Sequence, residues 1–335
     1  MKFPLVGITM GDPAGVGPEV VMKALARADA YAFCRPLVIG DARQLARANT
    51  VCKLSLSVHP VEKPGQANFK RGAVDVIDLA PVPADIAYGK VSAAAGEAAY
   101  RYIERAVQLA LAHTIDSICT APINKEALNA AGHRYPGHTE LLAKLTDTKE
   151  VSLTLLSPKL RVIHVTAHVG LLDAIEKIDA ALVGRTIARG RELLVRAGTA
   201  NPRIGVCGIN PHAGENGLFG DDDDRITAPA VERLRRAGIA AEGPVGADVI
   251  LGRKDIDGFV AIYHDQGHIP IKLLAGRNAS ALSVGSGVLF SSVGHGSAFD
   301  IAGQNKADPA AVLRTLRLIG NVPADTEKPI AAGAA

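Results

Sequence analysis

The sequence contains no tryptophan and few other aromatic residues, with 7 phenylalanines and 6 tyrosines among 335 residues. Proteins that bind single-stranded nucleic acid commonly stack bases on such rings. The formal net charge is only +3, and the basic residues are dispersed among acidic ones. Because both stacking rings and a basic stripe are lacking, we expect no nucleic-acid partner.

Long apolar runs and closely spaced cysteines are also absent. No uninterrupted apolar stretch reaches the roughly 18 residues that a bilayer span requires, and the start MKFPLVGITMGDP lacks the charged, apolar and small regions of a secretory signal. The four cysteines, at positions 34, 52, 119 and 207, form neither a CxxC knuckle nor a dense disulfide framework. We therefore expect a soluble, cytoplasmic protein without a membrane partner.

Apolar runs of strand length alternate with segments of helical periodicity along nearly the whole chain. This alternation predicts an α/β fold with a largely parallel sheet and helices on its faces. The segment 58–89 is rich in proline and glycine and predicts mixed short strands and loops. The clearest predicted strands are LVGITM, PLVIG, IDSICTAP, VSLTLL, RVIHVTA, RIGVCGIN and GFVAIYH, and the clearest helices are Pro18–Ala30, Ser92–Ala112, Asp179–Ala197 and Arg225–Ala237.

Three histidines lie in polar, glycine-flanked turns that each follow a predicted strand. They are His168 in VIHVTAHVG, His212 in VCGINPHAGE and His264 in FVAIYHDQGH. Ligands bind at the carboxyl ends of strands in α/β sheets, and neutral imidazole is the commonest protein ligand of a divalent transition metal. Three such ligands leave a coordination position open for substrate. The pattern therefore predicts a catalytic metal site, against the alternative of three unrelated loop histidines.

Two other motifs admit both a structural and a functional interpretation. GDPAGVGPEV, at residues 11–20, does not have the GxGxxG spacing of a dinucleotide site; it is either an anion-binding turn before a helix or a tight turn without a ligand. In YPGHTELLA, Thr139 could cap a helix, or His138, Thr139 and the nearby Lys125 could hold an anion or hydroxyl group. His138 is also a possible fourth metal ligand.

The densest polar cluster is YHDQGHIPIKLL, at residues 263–274. Asp265 could accept a hydrogen bond from His264 and fix its tautomer, whereas packing is a more common role than ligation for His268. Pro270 argues against a regular helix through this segment. Lys272 could pair with a substrate carboxylate or donate a proton.

These segments together resemble the family of metal-dependent 4-hydroxythreonine-4-phosphate dehydrogenases. ITMGDPAGVGPEV, INKEALNAAGHRYPGHTELLA, GINPHAGENGLFGDDD, GPVGAD, YHDQGHIPIKLL and HGSAFDIAG occur in the family's order. By this resemblance His168, His212 and His264 are metal ligands, and His138, Thr139 and Lys272 bind substrate. The family's likeness to isocitrate and isopropylmalate dehydrogenases implies two interleaved α/β/α domains with an interdomain cleft, here 1–125 plus 285–335 and 126–284. It also implies a homodimer with shared active sites.

The same resemblance assigns the cofactor loop to GHGSAFDIAGQNKADP, at residues 294–309. Asp300 could accept hydrogen bonds from both ribose hydroxyls of an adenosine, and its charge would repel the 2′-phosphate of NADP. The expected cofactors are therefore NAD and a divalent metal, with zinc, cobalt, manganese and magnesium all possible. The residues assigned to NAD are His295, Gly296, Asp300, Ile301 and Asp308.

The substrate is predicted to be a hydroxy acid, and two classes are possible: an aromatic dihydrodiol dicarboxylate or a phosphorylated hydroxy acid. Ala281 and Phe290 replace an asparagine and an arginine of the phosphothreonine branch, so the C-terminal part is closer to terephthalate cis-dihydrodiol dehydrogenases. Losing a cation would weaken phosphate binding, whereas a ring would add an apolar surface. The leading prediction is decarboxylating oxidation of that dihydrodiol to protocatechuate. The alternative is a dehydrogenase of 4-hydroxythreonine, threonate or erythronate 4-phosphate.

The sequence leaves the acid and base of this reaction open. Lys272, His138 and Asp248 are all candidates for the group that moves a proton. A non-enzymatic alternative is a metal-dependent protein that binds a small molecule on the same scaffold.

Overall fold

The computed structural model describes residues 3–79, 82–83, 85–135, 138–148, 151–157, 159–275, 279–285, 287–293 and 296–320, with the backbone alone for His138 and Thr139. Within these ranges, twelve strands form one continuous sheet. In chain order, β1 to β12 are Leu5–Thr9, Arg35–Gly40, Ser57–Val61, Ala73–Asp78, Ser117–Thr120, Ser152–Leu156, Arg161–His164, Ile204–Cys207, Ala241–Val245, Gly258–Ala261, Ser280–Val284 and Phe290–Ser292.

Helices connect most of these strands and pack against the sheet. In chain order, α1 to α11 are Gly17–Leu25, Ala42–Val51, Ala93–Leu111, Lys125–Ala130, His138–Leu145, Leu171–Lys177, Ala180–Arg196, Ala228–Arg236, Ala247–Ile250, His264–Ala275 and Ala310–Gly320. None of the helices in the described ranges has the length and apolar character needed to cross a membrane.

The sheet has two parallel parts joined by an antiparallel middle. Its order is β3-β4-β2-β1-β5-β12-β11-β6-β7-β10-β8-β9. The six neighbouring strands β3-β4-β2-β1-β5-β12 pair in parallel, and so do the four strands β7-β10-β8-β9. β11 is antiparallel to both of its neighbours, and β6 is antiparallel to β7. The chain builds the first part, crosses to the second and returns with β12 beside β5, which is the interleaved α/β architecture that the sequence predicts.

The buried apolar side chains form two clusters. One surrounds β1, β2 and their neighbours in the first parallel part of the sheet, and it includes Ile8, Leu37 and Phe290. The other surrounds β7, β8 and β10 and includes Val162 and Val260. The division of the chain into domains at 125/126 and 284/285 stays a prediction.

Local sequence signals locate several elements within one or two residues. Ser92 accepts a hydrogen bond from the Ala95 backbone N–H at the start of α3, and Asp179 accepts one from Leu182 at the start of α7. Both are the side-chain caps that such residues provide. The described residues of the segment 58–89 form short strands and loops, as predicted.

The prediction that Pro270 prevents a regular helix is wrong. α10 runs from His264 to Ala275 with Pro270 inside it. A proline in a helix removes one hydrogen bond and crowds the preceding turn. Here Gly267 and Ile271 are buried against the sheet, so tertiary packing outweighs the local preference.

Candidate active site

The turns that carry the three predicted metal ligands lie at the same edge of the sheet. His168 follows the end of β7 by four residues, His264 follows β10 by three and His212 follows β8 by five. β7, β10 and β8 are adjacent parallel strands, so their carboxyl ends meet. This is the position at which α/β sheets bind ligands.

Two of these histidines converge, and a third imidazole joins them. His168, His264 and His268 each offer a ring nitrogen, and these three atoms lie within 4.8 Å of one another. The rings of His264 and His268, one turn apart on α10, are stacked at 3.7 Å between centroids. In the described part of a single chain, this is the one group of three potential ligands found at such spacing.

His212 is not a member of this group within one chain. It is exposed and lies in a short 3-10 segment, Pro211–Gly214, with a positive φ of 53°. A Cβ added at Gly246 would lie 3.5 Å from the His212 Cα and 2.7 Å from Asp248 Oδ1, so His212 and Asp248 border the same glycine. The assignment of His212 as a metal ligand stays a prediction.

A buried carboxylate that the sequence analysis does not identify holds the turn before His212. Asp223 accepts hydrogen bonds from the backbone N–H groups of Ile209 and Asn210 at 2.8 and 2.9 Å and from the Thr227 hydroxyl. Only a run of four aspartates marks this residue in the sequence. A run of like charges usually faces solvent, so the sequence gives no sign that one of the four is buried.

Asp265 fixes the tautomer of His264, as predicted. His264 Nδ1 lies 2.7 Å from Asp265 Oδ1. An ionised carboxylate only accepts hydrogen bonds, so in the neutral ring Nδ1 carries the proton and the lone pair is on Nε2. Metal-binding histidines commonly have such an acceptor at the other ring nitrogen.

His268 has a buried neighbour, His164, that the sequence analysis misses. His268 Nδ1 lies 3.0 Å from His164 Nε2, and His164 Nδ1 lies 3.1 Å from the Leu153 carbonyl oxygen. Burial lowers the pKa of His164 to about 3, with the neighbouring His268 the next cause. Burial likewise lowers the pKa of His268 to about 4, with His264 the next cause. Both rings are therefore neutral at pH 7, the protonation state that metal binding requires.

Gln266 ties the first turn of α10 to the neighbouring strand ends. Its Oε1 accepts from the Ile262 backbone N–H at 2.7 Å, and its Nε2 donates to the Gly208 carbonyl at 2.8 Å. Lys272 is exposed on α10, one turn beyond His268, and is close enough to contribute to the lowered pKa of that residue. The helix thus presents two imidazoles and an amine on one face.

The predicted cofactor loop is held by two side chains of α1. The buried Glu19 carboxylate accepts from the backbone N–H groups of Gly303 at 2.6 Å and Asn305 at 3.0 Å. Lys23 Nζ donates to the carbonyls of Asn305 and Ala307 at 2.9 and 2.8 Å. The loop is therefore fixed along much of its length by one helix.

The glycines of GDPAGVGPEV serve close packing in this structure. A Cβ at Gly15 would lie 2.8 Å from the Ser297 carbonyl oxygen, and one at Gly17 would lie 2.3 Å from that of Met10. The Val16 backbone N–H donates to the Ser297 carbonyl at 2.9 Å. These contacts favour the tight-turn interpretation of the motif.

The remaining predicted cofactor residues lie on or next to this loop. Asp300 is exposed, and its backbone carbonyl accepts from Gln304. The Ile301 backbone N–H donates to Ala298, and Gly296 is exposed. Asp308 accepts from the Ala310 backbone N–H at 2.9 Å at the start of α11, so it has a structural use. His295 and the side chains of His138 and Thr139 lie outside the described residues.

Phe290 does not offer its ring to a substrate. It lies on β12, it is 1 % exposed and it belongs to the first apolar cluster. The expectation that this ring replaces a phosphate-binding arginine with a surface for an aromatic substrate is therefore wrong. A buried strand position selects apolar residues for packing, whatever the substrate.

A family model described as "Pyridoxal phosphate biosynthetic protein PdxA" matches residues 32–319. The chain belongs to the PdxA family. This finding confirms the resemblance that the sequence motifs indicate.

Three relatives show how close the similarity is. A D-threonate 4-phosphate dehydrogenase of Cupriavidus necator is 56 % identical over 94 % of this chain and 96 % of its own. The crystal structure of a 4-hydroxythreonine-4-phosphate dehydrogenase from Burkholderia phymatum is 52 % identical with a TM-score of 0.91, covering 97 % of this chain and 100 % of that one. A terephthalate 1,2-cis-dihydrodiol dehydrogenase structure from Burkholderia xenovorans is 41 % identical with a TM-score of 0.77, covering 95 % and 98 %.

These comparisons favour the alternative substrate class over the leading prediction. Among the solved structures, identity to the Burkholderia phymatum enzyme exceeds identity to the dihydrodiol enzyme by 11 percentage points, 52 against 41, and the TM-score is 0.91 against 0.77. Together with the burial of Phe290, they support a phosphorylated hydroxy acid better than an aromatic dihydrodiol. That prediction depended on one short C-terminal stretch, whereas the identities apply to nearly the whole chain.

Proposed function

We propose that this protein is an NAD-linked, metal-dependent dehydrogenase of a phosphorylated hydroxy acid, with D-threonate 4-phosphate or 4-hydroxythreonine 4-phosphate as its substrate. The observation that carries the proposal is the convergence of imidazoles at the ends of β7 and β10, with ring nitrogens within 4.8 Å. The 56 % identical relative supports the phosphorylated substrate. Because that relative is a D-threonate 4-phosphate dehydrogenase, its identity favours D-threonate 4-phosphate between these two acids.

The donor set fits a divalent transition metal. His264 and His268 are hydrogen-bonded through Nδ1, which leaves Nε2 of each ring available, and His168 is exposed beside them. Imidazole donors suit zinc or cobalt, with manganese and magnesium as weaker alternatives. When bound, such an ion lowers the pKa of a substrate alcohol and stabilises negative charge on its oxygen. His212 is the further ligand that we predict.

The chain's own groups would then move the protons. Oxidation at C3 removes the hydroxyl proton to a base and a hydride to NAD, which leaves a ketone β to the carboxylate. Breaking the bond between C1 and C2 releases carbon dioxide, and an acid protonates C2. Lys272, His138 and Asp248 are the candidates, and Lys272 lies on the same helix face as His264 and His268. A cation there also suits a substrate phosphate or carboxylate.

A direct assay tests this function. Purified protein, zinc or cobalt and NAD are mixed with D-threonate 4-phosphate, 4-hydroxythreonine 4-phosphate, unphosphorylated D-threonate or the terephthalate dihydrodiol, and NADH absorbance is recorded. We expect turnover of a phosphorylated acid, and at least ~100-fold lower kcat/KM without the phosphate because several charge-assisted hydrogen bonds are lost. Turnover of the dihydrodiol alone would refute the substrate class. Absence of NADH with every acid and metal would favour a binding protein.

We predict that Asp300→Lys shifts cofactor preference from NAD toward NADP. The exposed Asp300 side chain would repel a 2′-phosphate, whereas a lysine would attract it. The ratio of kcat/KM for the two cofactors should change by about 30-fold, since removing a repulsion and adding an attraction each contribute on the order of 1 kcal/mol at an exposed site.

Glu62→Lys is the matched control for this prediction. It makes the same change of charge at an exposed carboxylate next to β3, which is an edge strand of the sheet. Its cofactor ratio should stay close to that of wild type. Values of kcat/KM for NAD and NADP that are unchanged from wild type in the Asp300 variant would remove this residue from the cofactor site.

We also propose that a second copy of the chain covers the surface beside the imidazole group. Large apolar side chains are exposed on both helices that adjoin the group. They are Leu171, Leu172 and Ile175 on α6, and Ile269, Leu273 and Leu274 on α10. An apolar patch of this kind is typical of a protein interface, and symmetric homodimers are the commonest oligomers.

Leu172→Glu and Leu273→Glu should each shift the protein from dimer to monomer. These side chains are 77 % and 80 % exposed in one chain, so the substitutions leave the core of each copy intact, but they would bury charge in the interface. Sedimentation velocity measures the change, with Leu111→Glu on the exposed part of α3 as the control. A wild-type protein that is monomeric at all concentrations would disprove the dimer. If the active sites are shared, activity should fall with the dimer fraction.

A further inference from the structure

We infer that His268 is a metal ligand through Nε2, and that the buried His164 is the positioning residue that holds His268 in the tautomer required for binding. This inference rests on the proposed metal-dependent function and adds one ligand and its support to the site. From the sequence alone, His268 is expected to serve packing and His164 has no assigned role. Three groups in a row set the positions of the protons: the Leu153 carbonyl, His164 and His268.

The chain of hydrogen bonds begins at a group that can only accept. The Leu153 carbonyl oxygen lies 3.1 Å from His164 Nδ1, so Nδ1 carries the hydrogen of the neutral His164 ring. A neutral imidazole has one donor and one acceptor nitrogen. His164 Nε2 is therefore the acceptor, and it faces His268 Nδ1 at 3.0 Å.

The same reasoning then fixes His268. Its Nδ1 must donate to His164 Nε2, and it also lies 3.2 Å from the His264 carbonyl oxygen, a second acceptor. With the hydrogen on Nδ1, the lone pair of the ring is on Nε2. His268 also belongs, with His168 and His264, to the group whose potential ligand atoms lie within 4.8 Å of one another.

Gly267 makes the contact between the two rings possible. A Cβ at this position would lie 2.4 Å from His164 Nε2 and 2.7 Å from Val162 Cγ1. Any side chain there would push the His164 ring away from His268 or lift the first turn of α10 from the sheet. The contact between His164 and His268 therefore requires a glycine at position 267 for steric reasons.

Metal affinity and tautomer state test the inference separately from turnover. Full-length apoprotein is titrated with Co²⁺, and the visible spectrum and dissociation constant are recorded for wild type, His268→Leu, His268→Gln, His164→Leu and His164→Gln. We expect both His268 variants to bind cobalt about 10- to 100-fold more weakly with an altered spectrum. His164→Leu should weaken binding by about 10-fold. Nitrogen NMR of the apoprotein should show His268 protonated on Nδ1.

The two His164 variants distinguish positioning from simple packing. Glutamine provides an oxygen near the place of Nε2 that can accept from His268 Nδ1, whereas leucine fills space without accepting. His164→Gln should therefore recover most of the affinity that His164→Leu loses, while circular dichroism and thermal unfolding of the apoproteins verify folding. His113→Asn, at an exposed position outside the site, should leave cobalt binding unchanged.

Several results would overturn the inference. Unchanged cobalt affinity and spectrum in folded His268→Leu would remove His268 from the metal site, and equal affinities of the two His164 variants would remove the positioning role. Neither result would affect the dehydrogenase proposal, because His168 and His264 would still bind metal. The proposed function fails instead if wild-type protein oxidises no phosphorylated hydroxy acid even when it binds cobalt.

Discussion

His264→Asn is expected to lower kcat with the phosphorylated substrate by about 10³-fold, because metal stabilisation of a developing alkoxide contributes several kcal/mol to the transition state. His264 belongs both to the predicted ligand set and to the group within 4.8 Å. The shorter asparagine amide could not place a nitrogen lone pair where the imidazole does. Steady-state kinetics and metal content measured on the same preparation would test the effect.

The control for this experiment is a histidine of the same chemistry far from the strand ends. His113 is exposed and has a positive φ of 51°, a conformation that asparagine tolerates. His113→Asn should therefore keep both kcat and metal content. A His264→Asn protein that retains full activity after exhaustive chelation would contradict the metal-dependent mechanism.

Asp12→Asn is expected to raise the free energy of unfolding at pH 7 by up to about 3 kcal/mol, because that much free energy accompanies a rise in pKa from the ordinary value near ~4 to about 6. Burial raises the pKa of Asp12, against weaker effects of backbone hydrogen bonds. One carboxylate oxygen accepts from the Ala14 N–H at 2.8 Å. The other is buried without a hydrogen-bond partner in the described structure.

The sign of the pH dependence follows from the direction of that shift. The folded state binds a proton at Asp12 more tightly than the unfolded state, so this contribution to stability is present below about pH 4. It is lost as the pH rises through about 6. Urea unfolding between pH 4 and 7 should show this decline in wild type and a flatter profile in Asp12→Asn. Asp85→Asn, at an exposed carboxylate, should keep the wild-type slope, and an equal slope in Asp12→Asn would refute the prediction.

The sequence predicts the fold and the proximity of two histidines of the site because those signals are local. Alternating apolar runs give the strands, and Ser92 and Asp179 mark where α3 and α7 begin. The placement of His168 and His264 after strands is also visible in the sequence. Neighbouring parallel strands bring such turns together, so their proximity follows from the fold class.

The residues that support the site could not be predicted in this way. His164, Asp223 and Glu19 each act through partners far along the chain: His164 on His268, Asp223 on Ile209 and Glu19 on Gly303. Their roles depend on burial and on contacts that form only in the folded chain. Nothing in the sequence near any of these three residues identifies its partner.

The substrate shows how far a single aligned position can mislead. By the family resemblance, Phe290 stands where the phosphothreonine branch carries an arginine, but its burial on β12 shows that packing explains the phenyl ring. A position informs about a ligand only when its side chain reaches the ligand. For this reason exposed residues of the site, such as Lys272 and Asp248, are better places to examine specificity.

The attachment of the loop at residues 296–307 to α1 has a thermodynamic consequence. Glu19 and Lys23 bond to backbone groups of Gly303, Asn305 and Ala307 within the protein itself, so the loop is pre-organised before any nucleotide arrives. Binding to a rigid surface avoids the conformational entropy loss of ordering a segment. We therefore expect the backbone of this loop to keep the same conformation with and without a bound nucleotide.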